Sequence, residues 1–139
     1  MIRDIKKEII ELLKTIEGIK GIYSYPENNP VGYPFMILTW QGNDSSVLTN
    51  QQDSVFINFK IQMVQEKLEE FKGRKEAEET AEDRAWKIET LFRENNNLGL
   101  PYVLRVLPTA TTKTYDANST RIIIETIVRV QLVVNVYNH

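Results

Sequence analysis

The chain has 139 residues, 42% of them hydrophobic, which suits one globular domain spanning residues 1–139 and is too short for two ordinary ones. Its formal net charge of -2, from 17 basic against 19 acidic residues, gives no overall positive field to draw it to nucleic acid or anionic lipid. With no cysteine and one histidine, disulfide frameworks, thiolate catalysis and Cys/His zinc sites drop out, so stability has to come from packing.

Ile2, Ile5, Ile9, Leu12 and Ile16 recur at three- and four-residue steps, with Lys6, Lys7, Glu8, Glu11 and Lys14 mainly on the other side, and this predicts a first helix. Acids stand among the bases from the outset, unlike a signal peptide, and Arg129, Gln131 and Asn135 interrupt the longest apolar stretch before it reaches the roughly 18 residues of a bilayer span. The expectation is a soluble protein of the cytosol with no membrane association. Gly18 suits a helix cap and Gly21 a turn, after which Ile22 to Tyr25 begins a strand that Pro26 closes, with residues 27–32 as a loop.

Residues 35–40 are apolar on both faces and predict an interior strand covered on each side. Residues 41–53 read as a polar connection of unusual length, and such loops are usually functional or disordered. Its Val47 and Leu48 are apolar where solvent is expected, which leaves two readings: contact with a partner, or a plain mobile hairpin tip. Val55, Ile57, Phe59, Ile61 and Met63 alternate with Phe56, Asn58, Lys60 and Gln62 in a clear period of two, a strand antiparallel to the one before the loop.

Ala77, Ala81, Ala85, Ile88 and Leu91 trace a helical stripe over about residues 75–94, and its small alanines permit close approach to a sheet, with Trp86 and Phe92 covering the edges of the contact. Asn95 to Gly99 ends that helix. A short strand follows at residues 102–107, then a polar turn region at 108–119, where Asp116 and Asn118 suit a reversal.

Residues 121–137 run without Gly or Pro as one very long strand. Its even face holds Ile122, Ile124, Val128, Val130, Leu132, Val134 and Val136, with Thr126 as the polar exception. At about 3.3 Å per residue the run spans roughly 53 Å if straight, more than the ~37 Å diameter of a domain of this size, so it must bend, break or project. Its odd face mixes Ile123, Ile127, Val133 and Tyr137 with Arg121, Glu125, Arg129, Gln131 and Asn135. Burial beneath a helix and a subunit interface both fit that mixture. The element order predicts an α+β fold, a mostly antiparallel sheet of four to five strands with two main helices packed on one face.

No phosphate-binding glycine loop, nucleophile elbow or paired-histidine metal motif occurs, so no catalytic, cofactor-binding or metal-ligating residue is predicted. Paired acids at Glu69 and Glu70, Glu78 and Glu79, and Glu82 and Asp83 read as solvated helix surface, and His139 as a frayed end. Tyr23, Tyr25, Tyr33, Phe35 and Trp40 offer stacking surfaces for a nucleic-acid-binding module, but Lys20 is almost alone among them as a cation.

The layout resembles that of tail terminator, or tail completion, proteins of long-tailed bacteriophages. The resemblance rests on the first helix, Gly21-Ile-Tyr-Ser-Tyr-Pro26, Gly32-Tyr-Pro-Phe-Met-Ile37, Ile57-Asn-Phe-Lys-Ile61, the alanine-striped helix closing at Asn97-Leu-Gly99, and the uninterrupted last strand. It implies a non-enzymatic virion protein of the tail or neck, present in the host cytoplasm during assembly. Such a protomer would form a homo-oligomer, often a hexameric ring, on the tail tube protein, stop tube polymerisation and meet the head-tail connector. A connector or neck protein is the near alternative. Candidate subunit or tube contacts are Val47, Leu48, Ile123, Ile127, Val133 and Tyr137.

Overall fold

The computed structural model describes residues 2–47, 52–66, 73–118 and 120–135. Its elements run α1 (Ile2–Leu13), β1 (Gly21–Tyr23), β2 (Phe35–Val47), β3 (Gln52–Glu66), α2 (Arg74–Glu94), β4 (Val103–Tyr115) and β5 (Arg121–Asn135). The strands form one sheet in the order β1-β2-β3-β5-β4, in which β1 pairs parallel with β2 and every other pairing is antiparallel. This is the expected α+β fold.

The period of two in β3 and β5 places their apolar rows on one face. Ile57, Phe59, Ile61 and Met63 of β3 are buried there beside Ile122, Ile124, Val128, Val130 and Leu132 of β5. Thr126, polar but fully buried in that row, lies 3.4 Å from Thr111 Oγ1, hydroxyl to hydroxyl. Both helices seal this face. From α1 come Ile5, Ile9, Leu13 and, one turn on, Ile16, and from α2 come Ala77, Ala81, Ile88 and Phe92. Each large apolar side chain so buried contributes about 1.5–3 kcal/mol relative to exposure.

Local chemistry fixes the helices in place. Gly18 (φ +86) follows α1, and a Cβ there would come within 3.1 Å of the Arg84 guanidinium on α2, so both backbone and space favour glycine. At the start of α2, Gln65 at the end of β3 donates to the Ala77 carbonyl (2.8 Å) and accepts from Arg84. Lys113 and Tyr115 of β4 both donate to Glu78, at 3.0 and 2.8 Å. Asn95 closes the helix by donating its side-chain amide to the Leu91 carbonyl.

Four expectations are corrected. Most of residues 41–53 is strand: β2 runs to Val47 and β3 begins at Gln52, paired down to Val47 with Asp53. A one-residue bulge between Trp40 and Asn43, with Gly42 at φ +103, switches the parity of β2, which hides its period from the sequence. Second, the short strand and the turn region at 108–119 merge into β4, which reaches Tyr115 through two further bulges. Pro108 sits inside it, as proline does on an edge strand.

Third, residues 35–40 are covered on both faces only at their start, where the adjacent Phe35 and Met36 are both buried. β1 is three residues long and pairs only with Phe35, Met36 and Ile37, Trp40 is 47% exposed, and Ile37 and Thr39 are half-buried. Fourth, Phe92 lies in the core at 0% exposure, whereas Trp86, at 62%, covers no contact edge. Six positions separate them, so they lie on different sides of a helix with 3.6 residues per turn. The reversal at Asp116 is found as expected, with its carboxylate accepting from the Thr120 and Arg121 backbone N–H groups and the Thr120 hydroxyl.

Phe92→Ala is expected to lower unfolding stability by about 3–5 kcal/mol in a denaturant titration, against about 0.5 kcal/mol or less for Trp86→Ala. Equal losses would contradict the burial assigned to the two rings. Asp116 carries a pH signature. Burial pushes its carboxyl up, but hydrogen bonds from the Thr120 hydroxyl and the Arg121 and Thr120 amides, with the Arg121 charge, outweigh it and leave the group below its ordinary value. A depressed folded-state value stabilises the fold above the unfolded carboxylate value of about 4 and loses that contribution as pH falls through the folded one. The melting-temperature gap between wild type and Asp116→Asn should therefore close on acidification, and a pH-independent gap would rule the linkage out.

Candidate assembly surface

Opposite the helices the sheet presents a second face that neither described helix covers. Residues on the odd positions of β5 alternate with the buried row, and Arg121, Ile123, Glu125, Ile127, Arg129 and Gln131 are all half-buried. Of the two readings of this face, burial beneath a helix is therefore not what the structure shows, since α1 and α2 both pack on the even side.

The charged residues here are satisfied by neighbours across the strands. Arg121 lies over the Tyr33 ring, 5.0 Å from its centroid. Glu125 pairs with Lys60 at 3.4 Å and accepts from Gln62 at 3.5 Å. Further along, the Arg129 guanidinium lies 4.1 Å over the Phe56 ring, donates to Asn58 Oδ1 at 3.0 Å and reaches Asp44 Oδ2 at 3.3 Å, while Asn58 donates to the same Asp44 oxygen. Gln131 accepts from Arg105 at 2.6 Å and donates to the buried Ser54 hydroxyl at 3.0 Å. Between these ionic positions lie the half-buried apolar side chains of Ile37, Phe56, Leu107, Ile123 and Ile127.

An apolar surface interleaved with preorganised charges is suited to contact with another protein, because its polar groups hold their positions before a partner arrives. Among the described residues no group of three or more His, Asp or Glu side chains could hold a metal ion. No described helix is long and apolar enough to cross a membrane.

Of the six candidate contacts, Ile123 and Ile127 lie together on this face, paired through the backbone with Val64 and Lys60 of β3. Val47 ends β2 opposite Asp53, and Val133 sits in β5 opposite Ser54. Leu48 and Tyr137 lie outside the described residues. The Arg129 cluster was not singled out from the sequence, since Asp44, Phe56 and Arg129 are far apart along the chain. One signal was available: Phe56 and Asn58 fall on the polar side of the alternation in β3, where an aromatic ring needs a partner.

Neither a protein-family model nor a curated protein sequence matches the chain. Among solved structures, the fold is similar to that of a chain in the virion of a native gene transfer agent (GTA) particle, with a TM-score of 0.59. The match covers 91% of this chain and 92% of that one at 10% sequence identity, a likeness of fold.

The stacking of Arg129 on Phe56 should appear as a coupling of about 0.5–1 kcal/mol in a double-mutant cycle of Arg129→Ala and Phe56→Ala. Additive losses would show two side chains that are neighbours without being coupled.

Proposed function

We propose that this protein is a non-enzymatic virion structural protein, a tail terminator that assembles as a ring on the end of a tail tube, stops its polymerisation and joins it to the head. The observation that carries the reading is the fold shared, over nine-tenths of both chains, with a chain of the gene transfer agent virion. The layout of helix, short strand, hairpin, helix and long paired strands supports the tail-terminator form of it. Its partners on this reading are further copies of itself, the tail tube protein and head-tail connector proteins.

Termination requires asymmetry. One surface must match the tube end, and the opposite one must not recruit another tube subunit. The two faces of the sheet differ in this sense, one closed by helices and the other open, with Ile123 and Ile127 set among fixed charges. We assign the open face, with Val47 and Val133 toward the same end of β2 and β5, to contact with the tube or a neighbouring copy, and keep Leu48 and Tyr137 as candidates from the sequence. A protomer with a core of its own can stay monomeric until the tube supplies a template.

Mixing the purified protein with polymerising tail tube subunits and imaging the products tests this. Ring-capped tubes of limited length are expected, and Ile127→Asp should abolish capping while the protomer still unfolds cooperatively. Unaltered tube growth with no bound protein would overturn the proposal. Binding to a head connector without any effect on tube length would move the assignment to a connector protein.

A further inference from the structure

The sheet ends in two open edges of opposite kind. On one side lies β4, thirteen residues long, with no strand beyond it among the described residues. On the other side β1 pairs only with the first three residues of β2, so among the described residues β2 has no outer neighbour over residues 38–47. Long unpaired edges are templates for another strand unless they are blunted. These edges also carry exposed apolar side chains: Leu104 at 55% on β4 and Trp40 at 47% on β2.

Strand polarity makes the two edges complementary. β2 is antiparallel to β3 and β3 to β5, so β2 and β5 run the same way, and β4 runs against both. A second copy placed beside the first in the same orientation therefore sets its β2 edge antiparallel to the first copy's β4. That arrangement is head-to-tail, the kind of contact that closes into a ring when the rotation permits.

The side chains match at the level of the rungs. One rung runs Asp44, Phe56, Gln131, Arg105 across the four strands. Its two ends are an exposed acid and an exposed base, both on the open face, where Asp44 meets Arg129 and Arg105 meets Gln131. A second rung runs Trp40, Phe59, Val128, Pro108. Its ends are an indole and a proline ring, both on the helix face. Continued into the next copy without stagger, the sheet brings Arg105 to Asp44 on one face and Pro108 to Trp40 on the other. Pro108 has no N–H to give, so the apolar contact takes the place of a ladder hydrogen bond there.

We infer that copies of this chain join edge to edge, the Val103 half of β4 against residues 38–47 of β2 in the next copy, with Arg105 and Asp44 as the ion pair that sets the register. The inference rests on the ring reading and names its subunit contact. It leaves the open sheet face free for the tube. The step made by β1 confines the contact to this half of β4, because the rungs of Thr112, Lys113 and Thr114 lead to Ile37, Met36 and Phe35, which β1 already pairs.

Charge exchange tests it, with oligomer formation followed by sedimentation velocity and by occupancy of tube ends. Arg105→Asp and Asp44→Arg should each weaken self-association by about tenfold or more, and the double exchange should return it to within about threefold of wild type. Thermal unfolding of each variant checks that the protomer is intact. Should Asp44→Arg fail to fold beside Arg129, Arg105→Ser, Asp44→Ser and their combination give the same answer through non-additive losses. Rings that ignore the single exchanges, or that the double exchange fails to restore, would overturn the edge contact and leave the ring standing. A wild-type protein that forms no ring, in solution or on tubes, would overturn the ring reading and the edge contact with it.

Discussion

The antiparallel pairing of β3 with β5 is the interaction on which the rest of the structure depends. It runs unbroken through all 15 residues of each strand, from Gln52 with Asn135 to Glu66 with Arg121. Every other element is placed by it. β2 and β4 pair on its two outer sides, and both helices pack over the apolar rows that it aligns. A slip of one residue in this pair would turn Ile57, Phe59 and Ile61 to the open face and bring Asn58 and Lys60 under the helices, where no partner waits for them. The register is thus held by hydrophobic burial, and the bulges of the structure occur in β2 and β4, where the constraint is weaker.

This division also explains what the sequence discloses. Elements with one sealed and one open side announce themselves by period: α1, β3, α2 and β5 all appear in the residue pattern close to where they lie in space. The extensions of β2 and β4 do not. In β2, Gly42 and the bulge reverse which residues face the core, so Trp40, Asn43 and Ser45 fall on one side although they do not alternate simply in sequence. In β4, Pro108 reads as punctuation, while Thr109, Thr111, Thr112 and Thr114 are favourable strand residues whose polarity suggests a loop. The mixed character of Ile123, Ile127, Arg129 and Gln131 was legible as belonging to neither core nor plain surface. That Asp44 and Phe56 complete the Arg129 cluster was not, because cross-strand neighbours depend on a register that only the folded pair defines.

A two-sided sheet with one sealed face is an economical basis for a part that must join others without changing shape. The helix side supplies the core. The open side and the edges then carry ion pairs and stacked rings that are already in position. In such an arrangement association draws on preorganised groups, and little ordering entropy opposes it. On the proposed reading the same sheet separates stability from assembly by geometry, face against face and face against edge.

The central pair has a further consequence, in time. β3 ends at residue 66 and its partner begins at residue 121, with α2 and all of β4 made between them. During synthesis, α1, β1 and the β2–β3 hairpin leave the ribosome while the strand that completes their core has yet to be made. Contacts of such wide sequence separation form slowly, since the loop between them must close before burial rewards it. Until then Phe59, Ile61 and Met63 lack the β5 row that lies beside them in the folded protein, and transiently exposed apolar surface of this kind favours aggregation. The pairing that aligns the core is thus also the one that closes the widest stretch of chain.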